Sequence, residues 1–171
     1  MPDLASLPSD TRVFVDTIIF DLQYRGKSTT CNAFLERIAR REVEAYVNTQ
    51  VLSDPLHKLM LEEAVQKGLI ARRRASELRA CFNGDRGLSE RLTDYQAHFE
   101  NTLSIGIHAF QVTKKLLVDS KHERRTHGLP TDDSLHLACL WRQGIRDIVT
   151  HDADFNHVNG LTVWEPMDVI P

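Results

Sequence analysis

The chain has 171 residues, 42% of them hydrophobic and 26% charged, with a formal net charge of −3 at pH 7. That length suffices for one domain with a real core, and the composition is that of an ordinary globular protein, not a disordered or disulfide-stapled one. The slight acidity does not announce a polyanion binder. It excludes none either, because a carboxylate-rich site lowers the total while basic patches sit elsewhere.

The opening residues, MPDLASLPSD, lack a basic start followed by an apolar stretch, so no secretory signal is expected. No apolar run approaches the roughly 18–20 residues that span a bilayer. Cys31, Cys81 and Cys139 lie far apart without a C-x-x-C pair. That spacing argues for reduced thiols and a cytoplasmic protein, and against zinc or a disulfide framework.

In chain order, RVFVDTIIF (12–20) is short, β-rich and apolar on both parities, as expected of a strand buried on both sides, with Asp16 as its single charge. Cys31, Phe34, Leu35 and Ile38 then mark an amphipathic helix over 28–41. EAYVN (44–48) suits a short strand. Leu52, Leu56, Leu59 and Met60 predict a helix running to about Lys67, stopped by Gly68. Residues 70–102 read as two further helices broken near NGDRG (83–87). SIGIHAFQV (104–112) reads as a strand, 113–128 as a helix closed by Gly128, and 133–142 as an apolar helix. DIVT (147–150) and LTVWEP (161–166) complete the strands. Strands alternating with helices imply βαβ units and a parallel sheet covered on both faces, hence a three-layer α/β/α domain. We expect one domain over 1–171, with its core at about 11–166 and an insertion-like helical region at about 70–102.

In such folds the working site lies outside the carboxyl ends of the strands. Asp16 follows RVFV and Asp152 follows DIVT, at two such ends. With Asp54 and Asp133 they make four acidic positions. Each has a plain structural alternative: a strand-end turn for Asp16, a helix cap before Pro55 for Asp54, and a favourable charge near a helix N-terminus for Asp133. For THDADF (150–155) the alternative is a polar turn returning Phe155 to the core. Converging in one cleft, however, such carboxylates repel one another and would protonate unless a cation sat among them. An all-oxygen set suits Mg²⁺ or Mn²⁺, which activate water for attack on a phosphodiester. The eight histidines show no H-E-x-x-H spacing; His136 and His151 flank the acids as supporting or surface residues.

VFVDT, TQVLSDPLHKLM (49–60), GLPTDDSLHLA (128–138) and IVTHDADF (148–155) come in the order found in the PIN-domain family, and the chain most resembles its VapC-type toxins. The resemblance implies a Mg²⁺- or Mn²⁺-dependent endoribonuclease. Its acidic quartet falls on Asp16, Asp54, Asp133 and Asp152, with Asp154 as an auxiliary acid and Thr150 as a polar neighbour. It also implies an RNA substrate (tRNA, rRNA or mRNA), a homodimer, and a cognate antitoxin whose tail occupies the cleft. The clusters Arg37/Arg40/Arg41, Arg72–Arg74 and Lys121/Arg124/Arg125 become candidates for holding phosphates. Two positions depart from the pattern: Asp54 stands where glutamate is usual, and Ile18 where Asn or Ser is frequent. These departures leave open a catalytically weakened RNA-binding or regulatory module. An aspartyl phosphatase or receiver carries little weight, because Ile18 also occupies the place of its second acid. In the Asp132–Asp133 doublet, Asp132 is expected to cap the helix with Thr131. Asp133 is expected to face the metal, with the small Ser134 leaving room for a ligand.

Overall fold

The structure, a computed structural model, describes residues 1–72 and 74–170. Arg73, the middle of one basic cluster, lies outside them. Two compact units make up the chain: Met1–Leu52 together with the chain from Ile105 onward, and Ser53–Ser104.

The first unit is built on five parallel strands, β1 (Arg12–Val15), β2 (Glu44–Asn48), β3 (His108–Phe110), β4 (Asp147–Val149) and β5 (Thr162–Trp164). They are arranged in the order β3-β2-β1-β4-β5. In the centre, Phe14 of β1 lies between Tyr46 of β2 and Ile148 of β4. Val13, Phe14, Val15, Ala45, Val47, Ile148 and Val149 are all fully buried, which explains their unbroken apolar runs. From β1 the chain passes through α1 (Thr17–Tyr24) and α2 (Thr29–Ala39) to β2 on one side. From β3 it passes through α7 (Lys114–His127) and α8 (Thr131–Arg142) back past β1 to β4 on the other. Right-handed crossovers in opposite directions put these two helix pairs on opposite faces of the sheet, giving the three expected layers.

Several expected boundaries move, each for a local reason. The first strand stops at Val15, and residues 17–20 open α1 instead of continuing the strand. Asp16 takes the N-cap position and its carboxylate accepts the Thr17 N–H, at 2.6 Å, so the cap overrides the β-propensity of Thr17-Ile18-Ile19-Phe20. β3 keeps only three of its nine expected residues, because Gly106 turns the chain at φ +101° just before it. α8 starts at Thr131 with Pro130 in the cap position and no side-chain cap, so Asp132 does not cap it. Asp132 accepts instead from the Gln50 side chain, 2.8 Å away.

The C-terminal segment is fastened to α2. Asp168 accepts hydrogen bonds from the Ser28 and Thr29 hydroxyls and from the N–H groups of Thr29 and Thr30. Burial alone would raise its pKa; these donors outweigh burial and hold the carboxyl far below the usual range. Cys31 and Cys139 are buried in the same core, and burial pushes the Cys139 thiol up to about 11.

The second unit is helical. It takes most of α3 (Thr49–Gln66), then α4 (Ala75–Gly84), the single turn α5 (Leu88–Arg91) and α6 (Asp94–Ser104). Its own core joins Leu61, Ala64, Ile70, Leu78, Leu88 and Leu92. Buried Glu63 accepts from Lys67 and from the N–H groups of Thr93 and Tyr95, tying α3 to the start of α6. Against the upward pull of burial, these donors lower its pKa. Cys81 is half-buried here and its thiol donates to the Leu69 carbonyl. α3 begins at Thr49, earlier than expected, and Pro55 lies inside it, so Asp54 is not its N-cap. The cap is Asn48, whose side-chain oxygen accepts the Gln50 and Val51 N–H groups. Among the described residues no helix is long and apolar enough to cross a membrane.

Candidate metal centre

The direction of the crossovers reverses between β1 and β4, and in an open parallel sheet that reversal opens a crevice at the carboxyl ends of the strands. Asp16 closes β1 there. Its backbone N–H donates to the Val149 carbonyl of β4, which seats it beside Thr150. One carboxylate oxygen accepts the Thr17 N–H and the other the Thr150 hydroxyl, both at 2.6 Å. Asp16 is therefore buried with a fixed orientation. Thr150 Oγ1 in turn accepts the Asp152 N–H, and Asp152 caps a short 3₁₀ turn, Ala153–Phe155, by accepting the Asp154 N–H. Phe155 is buried and anchors that turn. The polar turn read as the bland alternative at 150–155 is thus present, and it is also what presents the acids.

Asp133 enters from the first turn of α8. It offers a carboxylate oxygen that lies within 4.8 Å of one from Asp152 and one from Asp154. Asp133 is half-buried, and among the described residues no hydrogen-bond donor compensates it. Burial foremost, then the charges of Asp152, Asp16, Asp154 and Asp132, raise its pKa to about 6. An all-carboxylate group of this kind, with one member pushed towards protonation by burial and then by its neighbours, has the donor chemistry that suits a hard divalent cation.

No protein-family model matches the sequence, and no curated protein is significantly similar to it. Solved structures do match. VapBC2 from Rickettsia felis, bound to a DNA fragment from its promoter, superposes with a TM-score of 0.58 at 12% identity, over 91% of this chain and 98% of that one. A toxin–antitoxin complex from Klebsiella pneumoniae gives 0.54 at 13% identity, over 92% and 99%. The sarcin-ricin loop cleaving toxin VapC20 of Mycobacterium tuberculosis gives 0.50 at 14%, over 93% and 99%. The chain has a VapC-like PIN fold.

On this PIN fold, the sequence-predicted acids fall into two groups. Asp16, Asp133, Asp152 and Asp154, with Thr150, belong to the sheet unit and gather at the crevice between β1 and β4. Asp154, expected as an auxiliary, stands in the tight trio. Asp16 stands just behind it, tied to Thr150. Asp54 belongs to the helical unit, exposed on α3 and preceding buried Pro55. Ile18 is partly buried against the core and offers no polar group. Ser134 is fully buried, its hydroxyl donating to the Thr131 carbonyl, so it braces the first turn of α8. His151 pairs with Glu165 at 2.9 Å on the surface side, whereas His136 is buried.

Asn48 went unread in the sequence, although an Asn between a strand and an amphipathic run is an ordinary helix-start signal. Because its oxygen is committed to two α3 N–H groups, its amide nitrogen donates to His136 Nδ1, 2.8 Å away. Nδ1 is then the acceptor of this buried pair inside α8. Together with the Gln50–Asp132 bond, the pair locks the start of α3 to the helix that carries Asp133.

Of the basic clusters, Arg37 and Arg40 are consumed by Glu36 and Glu42. Arg41 lies against the Gly106 carbonyl.

Proposed function

We propose that this protein is an endoribonuclease dependent on Mg²⁺ or Mn²⁺, acting as the toxin of a toxin–antitoxin pair. The observation that carries the reading is the convergence of Asp133, Asp152 and Asp154 on the Asp16–Thr150 pair at the sheet crevice. Asp133, Asp152, Asp154 and Asp16 would hold the metal. A divalent ion held there would supply Lewis-acid activation of water and stabilisation of negative charge on the phosphate. The chain's own contributions are positional. The Thr17 N–H and Thr150 hydroxyl fix both oxygens of Asp16, so it needs no reorganisation when substrate arrives. The Asp152-capped turn aims two carboxylates from one short loop, and Asn48 and Gln50 hold α8 so that Asp133 meets them. The fold shared with toxin–antitoxin structures supports an antitoxin as partner; that it covers this crevice, and that the working form is a homodimer in the cytoplasm, are parts of the same proposal.

Purified protein incubated with structured RNAs and Mg²⁺ or Mn²⁺ is expected to cut them. EDTA and Asp133→Asn are each expected to stop the cutting. Cleavage that persists unchanged in Asp133→Asn would overturn the assignment. The apolar Ile18 favours one rival, a PIN-fold module that binds RNA without turnover. Metal binding by calorimetry with no cleavage across a broad RNA panel would select it.

A further inference from the structure

The face of α7 turned from the sheet carries a second feature. An open groove of about 530 Å³ runs there between α7, the end of α8 and the connection from β4 to β5, walled by Glu123, His127, Trp141, Arg146 and the Asn159–Gly160 turn. That volume falls in the roughly 300–1,000 Å³ range of small-ligand sites. Within it the Arg146 guanidinium lies over the Trp141 indole, 4.2 Å from the ring centroid. Trp141 is half-buried and Arg146 exposed, so the guanidinium covers the ring from the solvent side. An adjoining hollow shares His122 and Glu123 and adds Lys121 and Arg125.

Among the described residues, three cations of this face stand without a carboxylate partner. Of its acids, Asp119 pairs with Lys115 at 2.7 Å, and Glu123 lies 3.5 Å from the His127 ring, which offsets its charge only when protonated. Among the described residues no carboxylate pairs with Lys121, Arg125 or Arg146, whereas Arg25, Arg37 and Arg40 of the same unit are all paired. The groove shares two elements with the acid cluster. The connection that carries Asp152 and Asp154 goes on to His157, whose Nε2 meets the His127 carbonyl at 2.6 Å, and then to Asn159 and Gly160. α8 has Asp133 at its start and Trp141 near its end.

We infer that this groove binds a single-stranded stretch of RNA, an unpaired base stacking on the outer face of the Arg146 guanidinium and the flanking phosphates falling to Lys121 and Arg125. Guanidinium planes and aromatic rings are stacking platforms for splayed bases, which an A-form duplex does not offer. The choice of RNA as ligand rests on the ribonuclease function proposed for the acid cluster.

The test measures binding in EDTA, where cleavage is silent, with the full chain and a fluorescein-labelled single-stranded RNA of about 12 nucleotides, by anisotropy. Arg146→Ala, at an exposed side chain, is expected to weaken binding about tenfold. Arg146→Lys is expected not to restore it, because the charge is kept and the plane is lost. Removing Lys121 and Arg125 together should flatten the salt dependence by about 1.4 in log–log slope, roughly 0.7 for each phosphate no longer neutralised. A blunt duplex of the same sequence should bind more weakly and without regard to Arg146. Equal affinity in wild type and Arg146→Ala overturns the proposal, as does full rescue by Arg146→Lys or a preference for duplex. Competition by a polyglutamate peptide as effective as unlabelled RNA would assign the groove to an acidic protein segment and overturn it too. Normal cutting with no Arg146 dependence removes the groove and leaves the nuclease; Arg146-dependent binding by a protein that cuts no RNA does the reverse.

Discussion

Glu63 in the helical unit and Asp133 in the sheet unit are both carboxylates withdrawn from water, and the fold treats them in opposite ways. Glu63 is surrounded by donors, the Lys67 ammonium and two backbone N–H groups, and its pKa falls despite burial. Asp168, with four donors from the start of α2, belongs to the same type. Asp133 has other carboxylates for neighbours, and its pKa climbs to about 6. A buried acid that donors satisfy is a structural joint. One left facing its own kind is a cost to the fold, and such cost concentrates at functional sites.

Substitutions that remove one type and spare the other test that contrast. Asp133→Asn should lower RNA cleavage by at least the roughly 100-fold that loss of a ligand's supporting partner alone can cause, with folding intact by circular dichroism. Asp168→Asn and Glu63→Ala should do the opposite. Each should cost about 2–3 kcal/mol in urea unfolding, because charge-assisted hydrogen bonds are lost and buried N–H groups are stranded, while cleavage per folded molecule stays as it was. If Glu63→Ala stopped cleavage at unchanged stability, the division into joints and functional acids would fail.

Smaller effects follow from the Asp133 proton. Below about pH 4 Asp133 is protonated whether the chain is folded or not. Between there and about 6 the folded chain keeps a proton that the unfolded chain has lost. Metal-free stability should therefore fall as pH rises through that window, by about 1–2 kcal/mol after allowance for solvent screening. Unfolding of wild type against Asp133→Asn in EDTA at pH 4.5 and 7.5 isolates the contribution, which should vanish in the Asn variant. Mn²⁺ should raise wild-type stability at pH 7.5 more than at 4.5. The least severe change is Thr150→Val, which unties one oxygen of Asp16. It should slow cleavage about tenfold and cost about 1 kcal/mol, read from initial rates and thermal melts.

Much of this molecule was legible in its sequence because central parallel strands leave an unmistakable trace. Val13 to Val15 and Ile148 to Val149 are apolar on both parities because both of their faces are covered. Acids at the ends of such strands, Asp16 and Asp152, stand out against that background. What escaped was decided by hydrogen bonds to single side chains. Thr17-Ile18-Ile19-Phe20 has every mark of a strand, and only the Asp16 cap makes it a helix. The start of α3 depends on Asn48, a residue whose two-sided role needs His136, 88 positions away, to become visible. Asp132 and Asp133 are chemically identical in the sequence, and only Gln50 tells them apart by engaging the first.

The three thiols lend themselves to labelling. Cys31 and Cys139 sit in the sheet unit under burial that raises their pKa, so a maleimide reaches them only when that unit opens. Cys81, half-buried on α4, belongs to the helical unit. Timed alkylation read by intact mass would therefore clock the two units separately in one unmodified chain, the first adduct reporting the helices and the later two the sheet.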